Sequence, residues 1–375
     1  MSRQLLCCGD STDLNTASNT PYYILQSGLR NGVLDGSLSL QPSRLMRKRF
    51  FWNLYRMLIS GKPGGFQYSS IFTRALFAQA GLVESQPLSL LSHFPLLPSF
   101  PWPSHWRVDF YIDATTRQVF DDYGTGNRLS DHYRDEVLKR ETLAFQHANS
   151  VICMAQWTAN SVVSDYKIDP AKVHVVPGGA NLDEVILQTI PAALPPLEPS
   201  SEHPLKLGFL GKDWERKGGP FLMEIAQALH VRGIPTVIRA IGPDTSQLPV
   251  DPMLQPLGFI DKQTEMYRFV SELRSWNFGM LFSTAEAAPR SNLECLRLGV
   301  PVLSHDIGGI SSTLPDDGCG HLFKLNPTAE DVANWIAARL NTYQCYLQWR
   351  AKLALRWEEF TWDVAMEQLS AILNV

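Results

Sequence analysis

Apolar, strand-like runs alternate with helix-patterned segments in both halves of the chain, and this alternation constrains the fold more than any other feature. In the first half, strands are predicted over 21–28, 88–95, 107–113 and 150–154, and helices over 68–80, 131–147 and 158–166. In the second half, the apolar run 205–211 leads through a polar loop into the helical pattern 220–230. Strands that alternate with helices form parallel sheets, because each crossover helix returns the chain to the same sheet edge. The pattern predicts an α/β fold with two Rossmann-like domains facing each other across a cleft.

The length of the chain supports two domains. With 375 residues, it is longer than one hydrophobic core usually organises. The proline-rich segment 191–201 is the plainest break, since proline disfavours regular structure there. We predict a loose polar tail over 1–20, a first domain over 21–190, a linker over 191–204, a second domain over 205–355, and a closing helical segment over 356–375 that packs back on the first domain.

Composition indicates an ordinary globular protein. Hydrophobic residues make up 45%, charged residues 19%, and the net charge is −4, so there is no global attraction to nucleic acid. The six cysteines, two of them adjacent, show no paired metal-ligand spacing. A reduced, cytoplasmic protein is therefore the simpler expectation. The polar start does not resemble a signal peptide, and no segment has the apolar length to span a bilayer.

Two glutamates, Glu286 and Glu294, flank the predicted start of a helix. Backbone N–H groups and the positive dipole end at a helix start favour an anion such as a diphosphate. A carboxylate on either side can accept hydroxyl groups, so the pattern suggests a polyol–diphosphate–polyol ligand, which describes a nucleotide sugar. The alternative is a capping box, in which Ser291 caps the helix and Glu294 bonds back to the cap. A glutamate used in that way is largely unavailable to a ligand.

A cationic loop follows the predicted strand 205–211. It contains Lys212, Arg216 and Lys217 and leads into a helix with Pro220 in its first turn. Loops between strands and helices are where α/β sheets bind ligands. Cations there can neutralise a diphosphate and stabilise the charge that grows as it leaves. The alternative is a solvated basic loop.

These segments together resemble the retaining nucleotide-sugar glycosyltransferases of family 4, which have the GT-B fold. The matching segments, in chain order, are 173–181 (VHVVPGGAN), 207–218 (LGFLGKDWERKG), 240–243 (AIGP), 257–260 (LGFI), 286–294 (EAAPRSNLE) and 299–303 (GVPVL). Trp362 and Asp363 fit the closing helix of the family. The resemblance covers the chain from about residue 108 to the C-terminus, and the order of six motifs makes it specific.

The resemblance implies roles for individual residues. Glu286 is expected to face the sugar hydroxyls of the donor and Glu294 the nucleotide ribose, while Lys212 and Lys217, helped by Arg216, bind the diphosphate. Further donor contacts are expected from Arg290, Ser291, Asn292, Leu293, Gly258 and Ile260. Arg290 could meet a charged sugar or a phosphate, or point to solvent. The segment 258–260 is expected at the nucleotide base, or is simply a buried turn.

The resemblance also implies the chemistry. The donor would be a UDP- or GDP-sugar, transfer would retain the anomeric configuration, and no metal or other cofactor is expected because basic side chains replace the cation. The acceptor hydroxyl would attack from the face that the nucleotide leaves, so no pair of catalytic carboxylates is required. The chain departs from the family in three places. The segment 27–32, which is expected to be the loop after the first strand, lacks paired glycines; Ser312 stands where a glutamate is common; and residues 287–291 replace a glycine-rich run.

The acceptor side is less constrained. Asp113 and His93 stand at predicted strand ends in the first domain and are candidates to face an acceptor. Residues 44–56 mix basic and aromatic side chains, which suits either an anionic membrane with a lipid-linked acceptor or an ordinary helix that packs Phe51, Leu54 and Leu58 inward. The alternative functions are a sugar-nucleotide epimerase or phosphorylase and a catalytically silent scaffold, because a fold alone does not settle function.

Overall fold

The computed structural model describes residues 2–83, 85–93, 102–191 and 196–374. The chain divides into two compact units. Unit 1 comprises Met1–Pro177 and Ala365–Val375, and unit 2 comprises Gly178–Val364. Each unit is built on its own six-stranded sheet, and every strand pair in both sheets is parallel.

Unit 1 has the sheet order β2-β1-β3-β4-β5-β6. Its strands are β1 (Arg3–Cys8), β2 (Gly36–Leu40), β3 (Leu88–Ser92), β4 (Trp106–Ile112), β5 (Ser150–Cys153) and β6 (Val173–Val175). Its helices are α1 (Thr20–Arg30), α2 (Lys48–Ser60), α3 (Ser70–Phe77), α4 (Thr116–Asp121), α5 (Asp131–His147) and α6 (Gln156–Ser164). The predicted strands near 90, 110 and 150 and the helix over 131–147 are confirmed, although residues 94 and 95 lie outside the described residues.

The start of the chain is a strand rather than a loose tail. β1 lies between β2 and β3, and Leu5 and Leu6 are fully buried. The prediction of a loose segment over 1–20 is therefore wrong for Arg3–Cys8. Four apolar residues flanked by polar ones suffice here, because a central strand of a parallel sheet is covered on both faces.

The segment predicted as the first strand is the helix α1. Pro21 occupies its first turn, and Tyr23, Ile24 and Ser27 are buried at helical spacing. A short apolar run does not distinguish a buried helix from a strand by periodicity alone. As a consequence, the segment 27–32 is the end of α1 and not the loop after the first strand. That loop is 9–19, which follows β1.

Unit 2 has the sheet order β12-β11-β10-β7-β8-β9. Its strands are β7 (Leu205–Leu210), β8 (Thr236–Ile241), β9 (Leu254–Gly258), β10 (Phe278–Leu281), β11 (Val302–His305) and β12 (Gly320–Phe323). Its helices are α7 (Glu184–Thr189), α8 (Gly219–Val231), α9 (Met266–Arg274), α10 (Arg290–Arg297), α11 (Ala329–Leu340) and α12 (Tyr343–Ala354), and α13 (Trp362–Leu373) runs on into unit 1. Hydrophobic clusters cover both faces of the sheet, as a parallel sheet requires.

The boundary between the units lies at residues 177 and 178 and not in the proline-rich segment. Ala180, Leu182 and Leu187 pack into the core of unit 2. The described part of the segment predicted as a linker is anchored there as well, because the Tyr343 hydroxyl donates to the Pro196 carbonyl over 2.6 Å. At the other end, the Arg3 guanidinium donates to the Leu373 carbonyl over 2.8 Å, which ties the last helix to unit 1.

Candidate functional site

The loops that follow β7 and β10 meet at the carboxyl edge of the unit 2 sheet. The two strands are hydrogen-bonded neighbours, so their carboxyl ends lie side by side. Gly218 has a φ of 82°, and a Cβ there would lie 2.3 Å from the Phe282 carbonyl oxygen. Only glycine permits this approach. The Thr284 backbone N–H also donates to the Arg216 carbonyl over 2.8 Å, so the two loops are joined by their main chains.

Glu286 receives three donors at one carboxylate oxygen. Its Oε1 lies 3.0 Å from Lys217 Nζ, 3.2 Å from an Arg216 guanidinium nitrogen and 3.0 Å from Ser283 Oγ. The residue is only 7% exposed. Charge-assisted hydrogen bonds of this kind hold a side chain in one orientation. The structure therefore brings together Glu286, Arg216 and Lys217, three residues that the sequence analysis predicts to lie in one site.

A third loop holds the backbone of Glu286. The Gly309 N–H donates to the Glu286 carbonyl over 2.9 Å. Gly308 beside it has a φ of 56°, and a Cβ there would lie 2.0 Å from the same carbonyl oxygen. These glycines follow β11, the neighbour of β10 on its other side. Loops from three adjacent strands thus determine where this carboxylate stands.

A helix does begin between the two glutamates, as predicted, but it is not capped by a capping box. α10 starts at Arg290 after Pro289, and no side chain caps it. Among the described residues, the buried Ser291 Oγ has no hydrogen-bond partner. The capping-box alternative is therefore wrong. The start of α10 keeps uncapped N–H groups beside an unsatisfied hydroxyl, and such a buried polar atom calls for an explanation.

Glu294 is paired with Lys262 instead of capping its helix. The carboxylate is 3% exposed and accepts from Lys262 Nζ. Burial raises the pKa of Glu294, and the positive charge of Lys262 partly offsets that rise. Lys262 Nζ also donates to the Asn181 carbonyl over 3.2 Å and lies 4.6 Å from the centre of the Phe269 ring. Sequence reasoning missed Lys262, because one lysine in a loop carries no local signal of its partner.

Three of the residues proposed to contact the donor have side chains that contact other parts of the protein instead. The Asn292 amide donates to Thr313 Oγ1 over 2.9 Å, while Leu293 and Ile260 pack in the unit 2 core. From these residues only main-chain groups can serve a ligand. Lys212, in contrast, is exposed, and its Nζ lies 5.2 Å from the centre of the Phe259 ring.

Gly258 is the last residue of β9 and turns the chain with a φ of 68°. Its carbonyl accepts from the Gly242 N–H over 2.8 Å, which links the ends of β8 and β9. Phe259 beside it is 61% exposed. The turn thus pairs a buried Ile260 with an exposed ring next to Lys212.

Arg290 does not point to solvent. Its guanidinium donates to the Gly179 carbonyl over 3.4 Å and lies 5.2 Å from the centre of the Trp362 ring. A Cβ at Gly178 would lie 2.1 Å from the same guanidinium. The glycine pair in the motif 173–181 therefore makes room for this arginine at the start of α10.

In unit 1, the acceptor candidates follow neighbouring strands. His93 comes directly after β3 and Asp113 directly after β4. His93 Nδ1 donates to the Tyr111 carbonyl over 2.7 Å, which fixes the ring and leaves Nε2 as the acceptor nitrogen of a neutral ring. Asp113 is exposed. Both stand at the carboxyl edge of their sheet, where such folds bind ligands.

The described residues contain no group of three or more His, Cys, Asp and Glu side chains that could hold a metal ion. The metal independence that the resemblance implies stays a prediction.

Two Rossmann-like units with parallel six-stranded sheets define the GT-B fold of glycosyltransferases. No family model and no curated protein matches the sequence. Among solved structures, sucrose-phosphate synthase from Thermosynechococcus elongatus is similar with a TM-score of 0.63 and 13% identity, over 100% of this chain and 98% of that one. HepE of Anabaena, solved with UDP and glucose, has a TM-score of 0.62 and 12% identity over 100% of both chains. WaaG, a glycosyltransferase involved in lipopolysaccharide biosynthesis, has a TM-score of 0.61 and 12% identity over 99% of each chain. What these proteins share with the chain is the fold.

Proposed function

We propose that this protein is a retaining glycosyltransferase that moves a sugar from a UDP- or GDP-sugar to an acceptor hydroxyl. The observation that carries the proposal is the contact of Lys217 and Arg216 with Glu286 beside the uncapped start of α10. Cations, a carboxylate and helix N–H groups stand within one site at the carboxyl edge of the sheet. This combination suits a ligand with both phosphate and hydroxyl groups.

The diphosphate would lie between the cationic loop and α10. Lys217 and Lys212 would contact its oxygens, with Arg216 as a neighbour that also holds Glu286. Backbone N–H groups of Ser291, Asn292 and Leu293 would donate to a phosphate or to the sugar, and Ser291 Oγ would gain a partner. Fixed donors of this kind stabilise the negative charge that develops on the departing nucleotide.

The two glutamates would hold the ends of the donor. The Glu286 carboxylate would accept hydrogen bonds from sugar hydroxyls while its Oε1 keeps contacts with the protein. Glu294 would accept hydroxyls of the ribose, with the Lys262 ammonium as the positive charge paired to that buried carboxylate. The main chain at Gly258 and Ile260 would contact the base, and Arg290 would support the start of α10 through its contact with Gly179.

Transfer would proceed on one face of the sugar. The bond from the anomeric carbon to the phosphate oxygen breaks, and the acceptor oxygen bonds to that carbon from the same face. The acceptor proton passes to the departing phosphate, so no protein base is required. His93 and Asp113 are the proposed acceptor contacts, and Nε2 of a neutral His93 can accept a hydrogen bond from a hydroxyl.

We also propose a reducing compartment such as the cytoplasm for this reaction. All six cysteines are free, and four of them are buried. Structural disulfides are rare where the surroundings keep thiols reduced.

The test is to incubate the protein with a panel of UDP- and GDP-sugars, with and without candidate acceptors, and to measure nucleotide release. HepE is also solved with UDP-glucose, so that donor is the first to try. Release that depends on the acceptor and is lost in Glu286→Gln supports transfer. Glu272→Gln is the matched control, because Glu272 also pairs with an arginine but lies outside the proposed site. Its Oε1 is 2.7 Å from Arg239 Nε.

Other outcomes favour the alternatives. Conversion of the sugar without nucleotide release indicates an epimerase, and phosphate-dependent release of a sugar phosphate from a glycan indicates a phosphorylase. Binding of donors with no turnover under any condition indicates a silent scaffold. Each of these results would overturn the proposed transfer.

A further inference from the structure

The helix α2 presents a broad apolar face to solvent. None of its residues is buried. Its large apolar side chains are between 48% and 79% exposed: Phe50, Phe51, Leu54, Tyr55, Met57, Leu58 and Ile59. Single exposed apolar residues are common, but seven on one helix form a contiguous patch, and such patches mark interaction sites. The alternative in which Phe51, Leu54 and Leu58 pack inward is therefore wrong.

The helix is attached to unit 1 through its opposite side. Trp52 Nε1 donates to the Gly64 carbonyl over 2.8 Å, and the Trp52 ring lies 5.7 Å from that of Tyr133. The Arg56 guanidinium lies 4.4 Å from the centre of the Tyr133 ring and donates to Ser130 Oγ over 2.8 Å. These contacts hold the side of the helix that carries Trp52 and Arg56 against unit 1, so its exposed apolar face points away from the protein.

The surroundings of this face are cationic. From residue 36 to residue 83 the sequence contains seven Lys and Arg residues and no Asp or Glu. Arg47, Lys48 and Arg49 are exposed at the start of α2, and Lys62 is exposed just beyond its end. Cations at a helix N-terminus oppose the helix dipole. An anionic surface beside that end would relieve this repulsion.

We propose that α2 is a membrane-docking helix that lies in the interface of an anionic lipid bilayer, with its apolar face among the acyl chains and its flanking cations at the headgroups. An amphipathic helix with these two features binds membranes in the plane of the interface. No helix in the described ranges has the length and hydropathy to cross a bilayer. A second copy of the chain is a poorer occupant, since it would bring two sets of like charges together.

The experiment is sedimentation of the full chain with vesicles, either of neutral phosphatidylcholine or with about one third anionic lipid, at low and at high salt. We expect binding to the anionic vesicles that weakens with salt and is much lower on neutral vesicles. The double variant Phe51→Ser, Leu58→Ser should partition at least roughly tenfold more weakly, because it removes two of the largest apolar contacts. Leu355→Ser is the matched control, since Leu355 is 82% exposed on unit 2, and it should bind like the parent.

A second variant separates charge from apolar contact. Replacing Arg47, Lys48 and Arg49 by Gln should weaken binding to anionic vesicles by roughly tenfold or more and leave weak binding to neutral vesicles unchanged. Circular dichroism should show the same fold in every variant, because all these positions are exposed. Absence of binding to anionic vesicles at low salt would overturn the proposal. Self-association that the double variant abolishes, without vesicle binding, would assign the face to a second copy instead.

Discussion

Lys217 Nζ and Glu286 Oε1 lie 3.0 Å apart, although the two residues belong to loops that follow different strands, β7 and β10. Arg216 reaches the same oxygen over 3.2 Å. The contact exists because the sheet order places β7 next to β10 and because Gly218 lets the loops touch. A cation and a carboxylate held this close can serve the phosphate and the sugar of one donor.

The first prediction concerns Lys217. Replacing it by Ala should lower turnover with a nucleotide sugar by roughly two orders of magnitude, as the loss of one aligned charge contact often does. The side chain would contact the leaving phosphate, so kcat should fall more than KM rises. Steady-state nucleotide release measures both constants. Lys352→Ala, at an exposed position of α12, is the control, and near-normal turnover of the Lys217 variant would refute the assigned role.

The second prediction concerns the buried pair of Lys262 and Glu294. Replacing Lys262 by Met keeps an unbranched apolar side chain but leaves the Glu294 carboxylate without its cation, which should cost about 3–5 kcal/mol of unfolding free energy at neutral pH. The pKa of Glu294 is already raised by burial and should rise further. A raised folded-state pKa gives stability that is present at low pH and lost as the pH rises.

The variant should therefore lose more stability at about pH 8 than at about pH 5, as measured by urea unfolding. Adding Glu294→Gln should restore most of the loss and remove its pH dependence, since no buried charge then remains. The double-mutant cycle gives the coupling energy of the pair. Equal loss at both pH values would show that the ion pair is not what Lys262 provides.

The third prediction concerns Gly308, which lies against the backbone of Glu286. Replacing it by Ala should destabilise the fold through its positive φ and through the clash with the Glu286 carbonyl. Gly233 has a similar φ of 75° with no atom within 4 Å of a Cβ, so Gly233→Ala measures the backbone strain alone, about 1–2 kcal/mol.

The Gly308 variant should lose about 1–3 kcal/mol more than the Gly233 variant. It should also impair donor turnover, because relief of the clash requires Glu286 to move. Thermal unfolding and nucleotide release compare the two variants. Equal destabilisation with intact turnover would mean that the loop after β11 does not position Glu286.

The fourth prediction concerns Glu141, a fully buried carboxylate in unit 1. It accepts from Thr116 Oγ1 over 2.8 Å and from the Tyr166 hydroxyl. Burial raises the pKa of Glu141 to about 7, above its ordinary value of 4.5. The proton is therefore held more tightly in the folded state, and stability from this group is complete below about pH 4.5 and is lost as the pH rises through about 7.

The unfolding free energy should accordingly fall by about 3 kcal/mol across that window because of this one group. Glu141→Gln removes the titration and should flatten the pH dependence. Urea unfolding at several pH values from about 5 to about 8 measures both proteins. Parallel pH profiles of the unfolding free energy for the parent and the variant would show that Glu141 does not cause the pH dependence.

Local sequence pattern was sufficient to predict much of the secondary structure of unit 2. The apolar run 205–211, the cationic loop and Pro220 predicted a strand, a loop and a helix, because strand and helix periods and turn residues act over a few positions. The same reasoning failed at the start of the chain. The run at 21–28 is too short to distinguish a helix from a strand. The four apolar residues of β1 have polar neighbours on either side, so they did not form a recognisable strand pattern.

The sequence by itself determined which groups the candidate site contains: two acids around a helix start, and cations on a loop after a buried strand. Tertiary structure alone decided their partners. Glu286 meets Lys217, Glu294 meets Lys262 rather than its own helix cap, and the apolar side of α2 faces away from the protein. These outcomes depend on strand order and on which face each element buries, and contacts between distant segments leave no trace in the local spacing of residues.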